Sequence, residues 1–175
     1  MFEVRIHSRG GQGGVTAARL LAQAAVMDGK YATACPFYGA ERRGAPVVSY
    51  VRIDDRPVRI YSQIRRPDLV IVLDASIMET VDVLQGLKDG GSVLLNTSHL
   101  QQLNTYHTYG VDLTGIALSL SLVIAGSPIL NTPVLGALAR MGLVTLDSAK
   151  TAIRDMFSDE RNVKAAEAAY QEMVV

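Results

Sequence analysis

Ser8-Arg9-Gly10-Gly11-Gln12-Gly13-Gly14 separates two patterned stretches. Before it, Phe2 to His7 alternates apolar and polar residues as a β-strand does. After it, Val15 to Asp28 carries Leu21, Ala24 and Ala25, with Val15, Ala18 and Ala22, at helical spacing. A glycine-rich turn from strand to helix is the opening move of an α/β domain. Its glycines let the backbone take positive φ and approach a ligand closely, and the helix that follows presents unpaired N–H groups at the positive end of its dipole. The natural guest of such a turn is a phosphate. Its spacing matches neither familiar nucleotide signature, however. A P-loop ends in Gly-Lys-Ser/Thr, and a dinucleotide fingerprint needs a third glycine where Thr16 stands. The second strand, Tyr31 to Cys35, runs into Pro36-Phe37-Tyr38 with no acid to hold a ribose hydroxyl, which argues against a self-contained NAD, FAD or ATP enzyme.

Working outward, Gly29-Lys30 closes the first helix, and a long loop, Phe37 to Pro46, follows the second strand. Val47 to Ile53 and Val58 to Tyr61 flank Asp54-Asp55-Arg56-Pro57 and read as a β-hairpin, which makes the sheet mixed. Leu69 to Leu73 is wholly apolar and bounded by Asp68 and Asp74, as expected of a central strand covered on both faces. Ser76 to Leu87 reads as a helix and Ser92 to Asn96 as the next strand, together a right-handed βαβ crossover. Tyr106 to Val111 reads as an edge strand. Helical patterns near Thr114 to Ala125, Thr132 to Met141, Leu146 to Phe157 and Asp159 to Val174 make the C-terminal part all helix. In the last of these, Val163, Ala166, Tyr170 and Met173 form one stripe, read as a docking face. The fold class is α/β: a Rossmann-like three-layer domain with a mixed, mainly parallel sheet and a helical C-terminal part.

Composition bounds the function. At 175 residues the chain is read as one domain, 1–175, a size that buries roughly 70% of its unfolded surface without a disulfide or metal staple. Lys+Arg 17 against Asp+Glu 17 leaves a formal net charge of zero, hence no global field for nucleic acid or an acidic membrane. No run of ~18 apolar residues is present and the N-terminus has neither signal nor transit character, so a cytoplasmic chain is expected. One cysteine, Cys35, excludes an internal disulfide, a cysteine-ligated zinc site or an iron–sulfur cluster built by this chain alone. His7, His99 and His107 lack the spacing of a helical zinc pair, so no metal site is expected.

Several motifs in order carry a resemblance. They are Arg9-Gly10-Gly11-Gln12-Gly13 with Val15-Thr16-Ala17-Ala18, then Gly29-Lys30-Tyr31-Ala32, then Pro36-Phe37-Tyr38-Gly39-Ala40-Glu41-Arg42-Arg43-Gly44-Ala45-Pro46-Val47. Arg52-Ile53-Asp54, Ser62-Gln63-Ile64, Pro67-Asp68 and Asn131 to Leu138 continue the series. Together they resemble the gamma subunits of the 2-oxoacid:ferredoxin oxidoreductases, in particular the pyruvate (pyruvate synthase) branch. The 2-oxoglutarate relatives tend to carry a different loop in place of Ala40 to Ala45, whereas the branched-chain 2-oxoacid enzymes look similar here. Cys35 stands where the family more often has an aromatic residue.

The resemblance implies a chain with no catalytic residues of its own, inactive alone. Other subunits (alpha, beta and delta) would carry thiamine diphosphate, Mg and the iron–sulfur clusters. The assembled enzyme would turn pyruvate and coenzyme A into acetyl-CoA and CO2 and pass electrons to ferredoxin, with the gamma chain framing the coenzyme A entrance. Neither the thiamine diphosphate motif nor a Cys-x-x-Cys cluster occurs here. For Arg9, Gly10, Gly11, Gln12 and Gly13 two readings stand: contacts to the phosphates of coenzyme A, or a tight turn packed against a sister subunit. Phe37, Tyr38, Glu41, Arg42 and Arg43 combine aromatics, charges and fixed bends, which favours a subunit interface over a solvated loop. Asn131-Thr132-Pro133 reads first as a helix start, with Asn131 or Thr132 as cap and Pro133 in the first turn, and a ligand role for Asn131 is the weaker reading.

Overall fold

The computed structural model describes residues 1–37, 44–103 and 105–174, with backbone alone at Pro36 and Phe37. Strands β1 (Phe2–Arg9), β2 (Tyr31–Phe37), β3 (Pro46–Asp54), β4 (Leu69–Val72), β5 (Ser92–Asn96) and β6 (His107–Val111) form one sheet in the order β2-β3-β1-β4-β5-β6. β1, β4, β5 and β6 are parallel neighbours. β3 is antiparallel to both β1 and β2, so β3 alone runs against the rest. The mixed, mainly parallel sheet expected from the sequence is therefore present. β4 lies between β1 and β5 and is buried along its whole length, as its apolar run requires.

Helix α1 (Gly14–Met27) packs with α2 (Leu113–Ser119), α3 (Pro133–Arg140), α4 (Leu146–Met156) and α5 (Arg161–Glu172) in one hydrophobic cluster, which takes in Val4, Ile6, Val51, Leu69, Ile71 and Leu94 from the sheet. A smaller cluster on the other face joins Val70, Val72 and Val93 to Ile77, Val83 and Leu87. That third layer is made of a 3-10 turn, Ala75–Glu79, and irregular chain.

Three expectations need correction. Val58 to Tyr61 is not a strand, because both edges of β3 are already taken, by β1 and β2. Instead the buried Arg52 guanidinium donates to the carbonyls of Ile60 (3.3 Å), Ser62 (2.8 Å) and Gln63 (3.4 Å), pinning this segment to the sheet. Ser76 to Leu87 is not an α-helix. Arg5 Nη2 captures the carbonyls of Val83 (2.8 Å) and Gln85 (2.7 Å), which a helix would need for itself. Gly86 then takes φ 75, where an added Cβ would overlap the Arg65 carbonyl. The C-terminal part is not all helix either. α2 stops at Ser119, with Ser121 at φ 53 and Leu122 N–H bonded to the Ala117 carbonyl at 2.8 Å, a Schellman-type ending. A short hairpin follows, β7 (Val123–Ile124) and β8 (Ser127–Pro128).

The stripe on α5 is a docking face within the domain: Val163, Ala166 and Met173 are buried in the main cluster, with Tyr170 packed against it. Gly136 of α3 sits so close to α5 that a Cβ there would overlap the Ala166 carbonyl. β6 closes the sheet, and its Gly110 exchanges backbone bonds with Val174 (3.0 and 2.8 Å). Among the described residues, no helix is long and apolar enough to cross a membrane.

Candidate functional site

β1 and β4 are parallel neighbours whose chains leave in opposite directions. From Arg9 the chain enters α1 on the face of the large cluster, and from Val72 it enters the 3-10 turn on the other face. Such a divergence at the carboxyl ends of parallel strands is where open α/β sheets bind ligands. Here polar side chains bridge the gap. Arg9 Nη2 donates to Ser76 Oγ at 2.7 Å, its Nε lies 3.3 Å from Asp74 Oδ2, and its Nη1 donates to the Gly44 carbonyl at 3.0 Å. Gln12 Nε2 donates to Asp74 Oδ2 at 3.0 Å, while Gln12 Oε1 accepts from Arg9 N–H at 2.8 Å. Burial works to raise the Asp74 pKa, but hydrogen bonds from Ser76 and Gln12 and the Arg9 charge win, so its carboxyl is held below the ordinary value.

The glycines serve that geometry. Gly10 exchanges backbone bonds with the far loop, its N–H with the Ala45 carbonyl (2.9 Å) and its carbonyl with Gly44 N–H (3.1 Å). Gly11 and Gly13 take φ 97 and 89. Gly13 is the N-cap of α1 and offers no side-chain cap; the first turn of the helix carries no acid. Its N–H groups therefore face outward as donors. Gly14 lies directly over Ser8, leaving no room for a Cβ.

Beside this N-terminus is a cavity of about 670 Å3, lined by Gly10, Gly11, Gly13, Gly14 and Thr16 together with Ile124, Ile129, Met156 and Phe157. Asn131 also lines it. Asn131 is 6% exposed, its Oδ1 has no hydrogen-bond partner among the described residues, and its side chain lies against Gly13. It is not the cap of α3. Thr132 holds the N-cap position and its hydroxyl donates to Asn162 Oδ1 at 3.2 Å, with Pro133 first in the helix as expected. The arrangement can offer an anionic ligand the α1 dipole and backbone donors, with an apolar wall for a larger body.

The structure thus brings Arg9, Gly10, Gly11 and Gly13 together at the cavity, with Gln12 turned away to Asp74. Phe37 ends β2 opposite Val48; Tyr38, Glu41, Arg42 and Arg43 lie outside the described residues. Sequence reasoning missed Asp74 and Ser76 as partners of Arg9, and ranked a ligand role for Asn131 below that of a helix start, whereas the structure puts it at the cavity. A polar residue just before a Thr-Pro helix start, where Thr can occupy the cap, was the available signal. No group of three metal-ligating side chains occurs among the described residues.

The sequence model of the pyruvate ferredoxin/flavodoxin oxidoreductases matches residues 3–172. The chain belongs to this family. It is 52% identical over its whole length, and 98% of the relative's, to the pyruvate/ketoisovalerate oxidoreductases common subunit gamma of Thermococcus kodakarensis. It is 50% identical to pyruvate synthase subunit PorC of Methanocaldococcus jannaschii, over 99% of this chain and 98% of that one. The crystal structure of pyruvate oxidoreductase subunit PORC from Thermotoga maritima superposes with a TM-score of 0.84 at 34% identity, covering 99% of this chain and 97% of the other. The pyruvate ferredoxin/flavodoxin oxidoreductase fold thus extends over all the elements described above.

Proposed function

We propose that this chain is the gamma subunit of a cytoplasmic pyruvate:ferredoxin oxidoreductase. The complex converts pyruvate, coenzyme A and oxidised ferredoxin to acetyl-CoA, CO2 and reduced ferredoxin. The end-to-end identity of about half with named gamma and PorC chains carries this reading. One cysteine and no metal-ligating cluster among the described residues do not fit an electron store or a thiamine diphosphate site, so those groups belong to the alpha, beta and delta partners. The gamma chain contributes shape: the backbone N–H groups at the N-terminus of α1 and the Nδ2 amide of Asn131 would donate to phosphate oxygens of coenzyme A, with Arg9 fixing the loop that presents them.

The name of the Thermococcus relative, a subunit common to pyruvate and ketoisovalerate enzymes, favours a second reading in which one gamma chain serves both 2-oxoacids. Co-expression with candidate partners, followed by viologen reduction with pyruvate or 2-oxoisovalerate, separates the two. Activity of the pure chain with any 2-oxoacid, or failure to co-purify with larger thiamine- and cluster-bearing chains, would overturn both.

A further inference from the structure

On the face of the sheet away from the helices lies a second cavity, of about 460 Å3, lined by Arg5, His7, Tyr50, Gln63, Arg65 and Gln85. Arg5 is 8% exposed. Its Nε donates to His7 Nε2 at 3.1 Å and its Nη2 to the carbonyls of Val83 and Gln85. Among the described residues Nη1 makes no hydrogen bond and no carboxylate reaches ion-pair distance of the guanidinium. Asp82, at the rim, attracts the Arg5 charge from beyond ion-pair distance, but it is exposed and its carboxylate accepts from Leu84 N–H.

The neighbouring buried guanidinium is treated differently. Arg52, 3% exposed and on the adjacent strand, is paired with Glu3 at 2.9 Å. A buried cation with no carboxylate at pairing distance is costly and is seldom left so. The surroundings report the same surplus of positive charge: burial first, and Arg5 second, bring the His7 pKa down to about 4, so the ring stays a neutral acceptor. The chain that walls the cavity at Gln63, Ile64 and Arg65 runs back into Ile60 and Tyr61, which are 45% and 67% exposed. Arg52 fixes that segment through three carbonyls, and Cys35 Sγ donates to the Tyr61 carbonyl at 3.3 Å. An exposed aromatic on a segment that the buried Arg52 pins in place, and that continues into the cavity wall, is the composition of an interface anchor.

We propose that this cavity receives an Asp or Glu side chain of a partner subunit, seated against Arg5 Nη1, and that Ile60, Tyr61 and Arg65 form the docking rim around it. The proposal rests on the gamma-subunit reading and names the face that reading leaves open. Charge complementarity selects the carboxylate, and the exposed apolar rim selects a macromolecule over a free anion. Seating costs little rearrangement, because the cation is already held by two carbonyls and a histidine.

Hydrogen exchange on the wild-type chain, alone and in the assembled complex, tests it without a variant. Backbone amides of 60–66 and 81–86 should exchange at least about tenfold more slowly after assembly, as expected for an interface core. In parallel, sodium acetate should raise the Tm of the isolated chain relative to sodium chloride at equal ionic strength, and Arg5→Gln should abolish that response. The response should vanish in the complex, where the site is filled. A complex that forms while these amides exchange as in the free chain overturns the docking face. An acetate response that persists in the complex assigns the site to a free small carboxylate instead, and none in the isolated chain removes the anion site. If no complex forms with any partner, the gamma-subunit reading itself has failed, a result distinct from all of these.

Discussion

Arg9 and Asn131 stand at the same cavity but hold different positions in it. The Arg9 guanidinium is already engaged by Ser76, Gly44 and Asp74, so replacing it loosens the loop as well as any ligand. Asn131 keeps a buried oxygen without a partner among the described residues, so its loss breaks no hydrogen bond to that oxygen. Asn131→Ala should therefore hold the stability of the free chain within about 1 kcal/mol, the lost packing being offset by removal of an unsatisfied acceptor. In the complex it should raise the KM for coenzyme A by roughly fivefold, about 1 kcal/mol for one hydrogen bond, with the KM for pyruvate unchanged. Steady-state kinetics with each substrate varied in turn check this; equal effects on both would make the cavity structural. His7 gives a prediction in solution. Its folded pKa of about 4 lies below the ordinary value of 6.5, so between these limits the unfolded chain binds a proton that the folded chain refuses. Stability should be unaffected above pH 6.5 and fall as pH drops towards 4, by about 3 kcal/mol in all. Carboxylates held low, such as Asp28 and Asp74, lose their contribution only at and below their ordinary range near 3.8. Urea melts of the free chain at pH 7, 5.5 and 4.5 should show the slope, and His7→Gln should flatten it.

Among the elements, the regular ones were legible because one pattern decided each: alternation in β1, an unbroken apolar run in β4, and spaced apolar residues in α1, α4 and α5. Those misread turned on partners distant in sequence. Nothing within Ser76 to Leu87 says that Arg5 will take its carbonyls, and nothing within Val58 to Tyr61 says that β3 has no free edge. Arg52, the one basic residue of β3, was the trace of that arrangement in the sequence. Gly136 is a case where the element's own preference and its packing disagree. In an exposed helix interior Gly→Ala stabilises by about 1 kcal/mol. Here the added methyl would meet the backbone of α5 at Ala166, which has no rotamer to yield. Overpacking costs about 1 to 3 kcal/mol and outweighs propensity, so Gly136→Ala should lower stability by about 1 kcal/mol or more in chemical denaturation. A stabilised variant would mean that α3 and α5 can part without loss.

For the molecule as a whole, the order of motifs along the chain disclosed the family, since fold-level pattern alone fits many α/β domains. What it could not disclose is which faces serve partners, because the residues that complete those faces lie on other chains. The segment from Phe37 to Pro46 is the place to test this. At one end β2 finishes at Phe37 on the edge of the sheet. At the other, Gly44 is bonded to both Gly10 and Arg9, so the segment is rooted beside the glycine loop and the proposed coenzyme A entrance. We propose that Phe37, Tyr38, Glu41, Arg42 and Arg43 bind a partner subunit there. Reversing Arg42 and Arg43 to Glu then sets like charges against the partner's acids. Breaking a buried charge pair costs on the order of 2 to 5 kcal/mol, whereas a solvated surface tolerates substitution within about 0.5 kcal/mol. The double variant should fold, as judged by an unchanged melt of the free chain, because the described core and sheet are built from other residues. It should fail to co-purify with partners that retain the wild type. Recovery of intact, active complex from the double variant would move the interface off this loop.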